Sequence, residues 1–220
     1  GVGYVGLPLV VEFSKHRDVY AYDPFDKRIS ELKDGFDRNH ETDPSILVKN
    51  KNGINFSSND NVLSECEIFI ITVPTPVNED NKPDLTPLIS ATETVSKYIK
   101  KDSIVIFEST VFPGATEEVC IPIIEKQSGL KYKIDFHCGY SPERINPGDN
   151  SKQLSKIDKI FAINTSDKVI LKKVKSVYKL ISKKIIFSKY ISEAETAKAI
   201  ENTQRDLNIA FFNELLILSD

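Results

Sequence analysis

The chain alternates short apolar runs with amphipathic stretches, and that alternation sets the expected order of elements. Leu7 to Val11 with Phe13 suits a helix packed on a sheet. Val19-Tyr20-Ala21-Tyr22 reads as a short strand, Asp26–Lys33 as a helix stopped at Asp34-Gly35, and Ile54–Phe56 as a brief strand. Asp37–Asn52 is polar, with room for a short helix over Pro44–Lys49. The run Glu67–Val73 is apolar from Ile68 onward, as expected for a strand buried on both faces. A helix from about Thr86 to Ile99, a buried strand Ser103–Glu108, a helix ending near Gln127 and a strand Ile134–Gly139 follow. Then come Lys159–Asn164 (strand), Asp167–Ile181 (helix) and Lys184–Phe187 (strand). Strands alternating with helices predict an α/β fold built on a parallel sheet. The last element differs. Ser192 and Glu195 have capping-box spacing. No Gly or Pro interrupts the chain from there to Leu218. One helix of about 27 residues, roughly 40 Å long, is expected. Such a length suits a connector between domains or an interface.

The turns carry the chemistry. Gly1-Val2-Gly3-Tyr4-Val5-Gly6 reads G-x-G-x-x-G. Glycines at this spacing make a tight turn, admit a pyrophosphate to the backbone, and let helix and strand pack closely. The following helix offers free N–H groups and the positive end of its dipole. Asp23 closes the next strand, 22 residues after Gly1, where a ribose diol needs an acid. Taken alone, Asp23-Pro24 also fits a plain strand-end turn. Ligands in open α/β sheets bind beyond the carboxyl ends of the strands. Four segments should therefore converge: Gly1–Gly6, Pro74–Pro76, Ser109–Gly114 and Ser141–Gly148.

The G-x-G-x-x-G turn should follow a strand, yet it begins the chain, and the sequence contains no Met. The expectation is a fragment cut just after a central first strand, whose loss leaves two neighbouring strands without ladder partners. The net charge of −3 gives no reason to expect nucleic acid or an anionic membrane as partner. No apolar run is long enough for a transmembrane helix. Cys66, Cys120 and Cys138 are odd in number and lack C-x-x-C spacing, which suits a reducing cytoplasm. His16, His40 and His137 stand apart, so no metal site is expected.

With these segments in view, the chain resembles the UDP-glucose/GDP-mannose dehydrogenase family, the nucleotide-sugar 6-dehydrogenases. The matching pieces are Gly1–Pro8 (GVGYVGLP), Val73–Pro76 (VPTP), Glu108–Gly114 (ESTVFPG), Ser141–Arg144 (SPER) and the helix positions Ala197, Lys198, Asn202, Asn213 and Glu214. The segments SPERINPGD and ENTQRDLNIAFFNE look most like the branch acting on UDP-N-acetylhexosamines. Pro147 stands where the UDP-glucose branch is expected to carry a second Glu.

The resemblance implies a Rossmann-like doubly wound parallel sheet over residues 1–190, its first strand missing, and a long connecting and dimerising helix over 191–220. A C-terminal nucleotide-sugar domain, absent here, would follow. It implies oxidation of a sugar C6 alcohol to the carboxylate with two NAD, through a thiohemiacetal and a thioester on a cysteine beyond this chain, to supply uronic acids for surface polysaccharides. Gly1, Gly3, Tyr4, Val5 and Gly6 match the pyrophosphate turn and Asp23 the adenosine ribose ligand; Arg28 is expected on the adenine side. Thr75 falls in the cofactor loop. Thr110 matches a threonine that positions water beside the cofactor, and Glu143 a carboxylate that assists thioester hydrolysis. Lys198 and Asn202 match an oxyanion-stabilising pair, and Arg144 and Arg205 fall on the substrate side. A homodimer through the long helix is implied, and residues 1–220 alone are expected to be inactive. The alternatives are a UDP-glucose or GDP-mannose 6-dehydrogenase, or a non-catalytic NAD-binding remnant.

The residue types suit these roles. Lys198 and Asn202, four apart, share a helix face. An ammonium and an amide N–H aimed at one point make an oxyanion site. Arg205, near the same stripe, can meet a phosphate. Read in isolation, Lys198, Asn202 and Arg205 are also ordinary surface positions, Thr110 a helix cap, and Glu143-Arg144 a weak exposed pair. Cys138, beside the Tyr140–Gly148 loop, is read as a core residue and not as the nucleophile.

Overall fold

A computed structural model describes residues 1–40, 42–49, 53–143 and 158–219. The elements follow the predicted order: α1 (Gly6–Ser14), β1 (Val19–Tyr22), α2 (Asp26–Lys33), α3 (Pro44–Lys49), β2 (Ile54–Ser57), β3 (Ile68–Ile71), α4 (Thr86–Ser96), β4 (Ser103–Phe107), α5 (Ile121–Ser128), β5 (Phe136–Tyr140), β6 (Lys159–Ile163), α6 (Lys168–Tyr178), β7 (Ile185–Ser188) and α7 (Ile191–Ser219). A six-residue 3₁₀ segment, Asp60–Glu65, precedes β3, and one π-helical turn, Thr116–Cys120, leads into α5.

The strands form two sheets. β1 and β2 pair in parallel. β3, β4, β5, β6 and β7 make the larger sheet in that order. Its pairs are parallel except β5 with β6, which run antiparallel through Gly139 with Ile163 and Tyr140 with Ala162. This pair departs from the parallel expectation, because an apolar run is equally buried in either direction.

Side-chain alternation along β4 shows how the layers form. Ile104 and Ile106 face α1 and α6, in a cluster with Leu9, Phe13, Ile170, Val174 and Tyr178. Val105 and Phe107 face α4 and α5, packing with Leu88, Val95, Ile121 and Ile124. Every β4 residue is therefore buried, which explains its unbroken apolar sequence. Helix α1 serves both sheets. Val5, Leu9 and Phe13 join the large-sheet core, whereas Leu7 and Val11 join Ala21, Ile29, Leu32, Ile54 and Phe56 under the small one.

β1 and β3 are not hydrogen-bonded to each other, and the first residue lies between their ends. The Gly1 amino group donates to the Tyr22 carbonyl at 3.0 Å. The Thr72 hydroxyl donates to the Gly1 carbonyl at 2.7 Å.

Candidate functional site

The glycine turn is fixed by contacts too close for side chains. A Cβ on Gly6 would stand 2.2 Å from the Gly1 carbonyl oxygen and 2.6 Å from Thr72 Oγ1, so only glycine fits there. A Cβ on Gly3 would meet nothing within 4 Å, leaving its backbone open to a ligand. No side chain caps the N-terminus of α1, and its first turn carries no acidic residue. An uncapped, unneutralised helix start beside an open backbone is a place for a phosphate. Tyr4 is exposed on this turn and Val5 is buried in the core beneath it.

Asp23 follows the end of β1, as its spacing predicts. Its carboxylate accepts from the Val2 N–H at 2.9 Å and from the Phe25 N–H at 3.1 Å. It thus ties the glycine turn to the end of the strand. Arg28 lies beneath the same turn, 7% exposed. Its Nε donates to the Val2 carbonyl at 3.0 Å, and its Nη2 is 2.8 Å from Asp37 Oδ1. Val2 is thereby held on both sides, its N–H by Asp23 and its carbonyl by Arg28.

Hydroxyl groups stitch the turn to the next two loops. Ser109 donates to the Val73 carbonyl at 2.6 Å, and Thr75 donates to the Thr110 carbonyl. The Thr110 side chain is exposed at the junction. Three of the four segments expected to converge are thus joined by Thr72, Ser109 and Thr75.

The fourth is described as far as Glu143; Arg144 and the positions to Gly148 lie outside the described residues. The Lys198 ammonium donates to the Glu143 carbonyl oxygen at 2.7 Å, across 55 residues of sequence. Lys198 is partly buried and Asn202, one turn on, is exposed. Arg205 reaches back to Glu201 Oε1 at 3.3 Å.

Glu195 overturns the capping-box expectation. Its side chain is fully buried, and its carboxylate accepts from the Gly114 N–H at 2.6 Å and the Thr116 N–H at 3.0 Å. It satisfies the start of the π turn leading into α5, not of its own helix. The α7 entry is braced instead by Ser188, which donates to Glu193 and accepts from the Tyr190 N–H at 3.2 Å. S-x-x-E spacing cannot distinguish a local cap from a distant one.

Sequence reasoning also missed the groups behind Glu143. Lys159 donates to Glu108 Oε2 at 2.5 Å, Tyr178 donates to Glu108 Oε1 at 2.6 Å, and Lys159 Nζ is 3.4 Å from Glu143 Oε2. Glu108 had one legible signal, a carboxylate closing an otherwise apolar strand. Lys159 had none, lying among the lysines of Lys152–Lys159.

Cys138 is fully buried, and burial pushes its thiol well above the ordinary range. That supports reading it as a core residue, because a nucleophilic cysteine acts as the thiolate.

A UDP-N-acetyl-D-glucosamine 6-dehydrogenase of Pseudomonas aeruginosa is 50% identical over 219 residues, 99% of this chain and 51% of that protein. Protein CapL of Staphylococcus aureus is 48% identical over 221 residues, 100% of this chain and 51% of its own. The structure of a UDP-D-ManNAc dehydrogenase from Pyrococcus horikoshii superposes with a TM-score of 0.88 at 32% identity, covering 99% of this chain and 52% of that one. The chain spans about half the length of the curated relatives it matches. Residues 1–182 match the NAD binding domain of the UDP-glucose/GDP-mannose dehydrogenase family, and the chain belongs to that family.

Proposed function

We propose that this chain is the cofactor-binding part of an enzyme that oxidises C6 of a UDP-N-acetylhexosamine to the uronic acid, for surface polysaccharide synthesis. Relatives near 50% identity include a UDP-N-acetyl-D-glucosamine 6-dehydrogenase, which favours this substrate class. The observation that carries the reading is the Lys198–Glu143 contact. It brings the long helix to the loop after β5, on the same side of the sheet as the glycine turn.

NAD, when bound, accepts hydride from the sugar carbon; the chain's residues hold and prepare the reactants. The Gly1–Gly6 backbone and the start of α1 receive the pyrophosphate, and Asp23 meets the adenosine ribose. Arg28, fixed between Val2 and Asp37, shapes the floor on the adenine side. Thr75 and Thr110 hold the loops facing the nicotinamide. Lys198 and Asn202, on one face of α7, stabilise negative charge developing on the C6 oxygen. Glu143 takes a proton from the water that releases the product acid. Arg144 and Arg205 contribute to the substrate side. The cysteine carrying the acyl group belongs to a second domain, with residues 1–190 forming the cofactor domain and 191–220 the connecting helix.

The partner of that helix is a second copy of the chain. Ile200, Leu207, Phe211, Leu215 and Leu218 are all exposed. Their spacing makes an apolar stripe of the kind that a helix buries. No helix among the described residues is long and apolar enough to cross a membrane. The three free cysteines accord with a cytoplasmic enzyme.

The test is NADH formation by the full-length protein with UDP-N-acetylglucosamine, UDP-N-acetylgalactosamine and UDP-glucose in parallel. The expected result is two NADH per N-acetylhexosamine and little turnover of UDP-glucose. A preference for UDP-glucose would overturn the substrate assignment.

A further inference from the structure

The turn that leads into α5 is capped from a distant place. Its Gly114 and Thr116 N–H groups are met by Glu195, 81 and 79 residues along the chain, at 2.6 and 3.0 Å. Helix starts are ordinarily capped by the residue just before them. α6 follows that rule: Asp167 accepts from the Val169 and Ile170 N–H groups at 2.7 and 3.2 Å. The residue in the same place before the π turn is Ala115, which brings no side-chain acceptor. A local Asp or Ser would satisfy this turn without burying a carboxylate from another helix. Glu195 is fully buried, and a buried carboxylate is costly unless its hydrogen bonds are made. The distant cap does what a local one would not: it fixes a distance between α7 and the segment Ser109–Gly114.

That segment is held at its other end as well. Ser109 donates to the Val73 carbonyl at 2.6 Å, and Thr75 donates to the Thr110 carbonyl. Thr110 thus stands between a tether to the loop after β3 and a tether to α7. On α7, Lys198 is three residues after Glu195 and shares its face. Its ammonium meets the Glu143 carbonyl at 2.7 Å. One turn of α7 therefore reaches the loop after β4 through a carboxylate and the loop after β5 through an ammonium. The capped segment Thr116–Cys120 is a π turn, a geometry that recurs at functional sites.

We propose that Glu195 is a positioning residue: by holding the Gly114 and Thr116 N–H groups, it sets where Thr110 stands relative to Lys198. The proposal rests on the roles assigned to Thr110 and Lys198 above. Misplacing reacting groups by about 1 Å can cost on the order of a hundredfold in rate. A change in the reach of residue 195 should therefore appear in kcat and not in substrate binding.

The test compares Glu195→Gln and Glu195→Asp in the full-length protein. Gln keeps the shape but presents an NH2 in place of one acceptor. Asp keeps both oxygens and shortens the reach by one methylene. Ile170→Ala is the control for lost stability, because Ile170 packs on the opposite face of the sheet from Val111 and Ala115. The readouts are melting temperature, amide exchange over Ser109–Thr116, and kcat with KM at a temperature where every variant is folded. Glu195→Gln should speed exchange over that segment and lower kcat about tenfold to a hundredfold. The KM for the UDP-sugar should stay within about twofold. Glu195→Asp should lose less, and Ile170→Ala should lower melting with kcat unchanged. A normal kcat in folded Glu195→Gln overturns the proposal, as does an equal fall in Ile170→Ala at equal loss of melting temperature. If Glu195→Gln does not fold, Glu195→Asp decides alone, and a normal kcat there overturns it. A parent protein that oxidises no UDP-sugar refutes the proposed function instead. Faster exchange over Ser109–Thr116 in Glu195→Gln then still supports the tether, and unchanged exchange overturns it.

Discussion

The two ends of the site are built differently. At the glycine turn, the proposed binding surface is backbone, and its determinants are absences: no Cβ on Gly6, none on Gly3, no cap on α1. At the Glu143 end, the surface is held by buried charge: Glu195 on two backbone N–H groups, Lys159 between two acids, Lys198 on a carbonyl. A site made from absences tolerates no atom added where backbone already stands, as at Gly6. A site made from buried charge tolerates no lost partner, because the remaining group keeps its full desolvation cost.

The largest effect should come from breaking the charged end. Glu195→Ala orphans the Gly114 and Thr116 N–H groups and releases α7 from the loop that bears Thr110. It should cost about 3 kcal/mol, or roughly 6–12 °C in melting temperature for a protein of this size, read by calorimetry. A change below about 1 kcal/mol would mean that water replaces the carboxylate there.

Adding an atom at the glycine end should come next. Gly6→Ala places a Cβ against the Gly1 carbonyl, an overpacking worth about 1–3 kcal/mol. Because the turn must regain its present shape to bind, NAD affinity should fall about fivefold to 150-fold by the usual conversion, measured by calorimetric titration. Gly3→Ala, with open space around its Cβ in the free protein, separates two causes. Weakened NAD binding with unchanged melting shows that the ligand itself fills that space.

Thr72→Val sharpens the comparison further. It keeps shape and removes one hydroxyl from the Gly1 carbonyl, so the loss should be about 1 kcal/mol, seen as a small drop in melting temperature. The smallest effect concerns the cysteines. Burial raises all three thiols, but Cys66 is only half-buried, whereas Cys120 is pushed up to about 12 and Cys138 well above its ordinary value. Iodoacetamide at pH 8 should label Cys66 first, and Cys120 and Cys138 only on unfolding, with mass spectrometry as the readout. Early labelling of Cys138 would show that the core beside the Glu143 loop opens.

How much could be read in advance follows the same division. The glycine turn, Asp23 at the end of β1 and the long helix were legible because each depends on local spacing: a tight turn, a strand length, a run without Gly or Pro. The strands were legible as apolar runs, but the antiparallel direction of β6 against β5 was not. Glu195 was misread as a local cap because its partners, Gly114 and Thr116, lie about 80 residues away. Lys159 looked like one lysine among several.

The sequence alone determined the order of elements, the glycine spacing of the first turn, and the family to which the motifs point. These follow from backbone sterics and hydrophobic period, which act over a few residues. The tertiary structure decided which charges were buried together. It set Glu108, Lys159 and Tyr178 behind Glu143, tied Glu195 to another helix's first turn, and put Lys198 on the Glu143 carbonyl. Burial and Coulomb energy depend on distance in space, and at these positions distance in space is unrelated to distance along the chain.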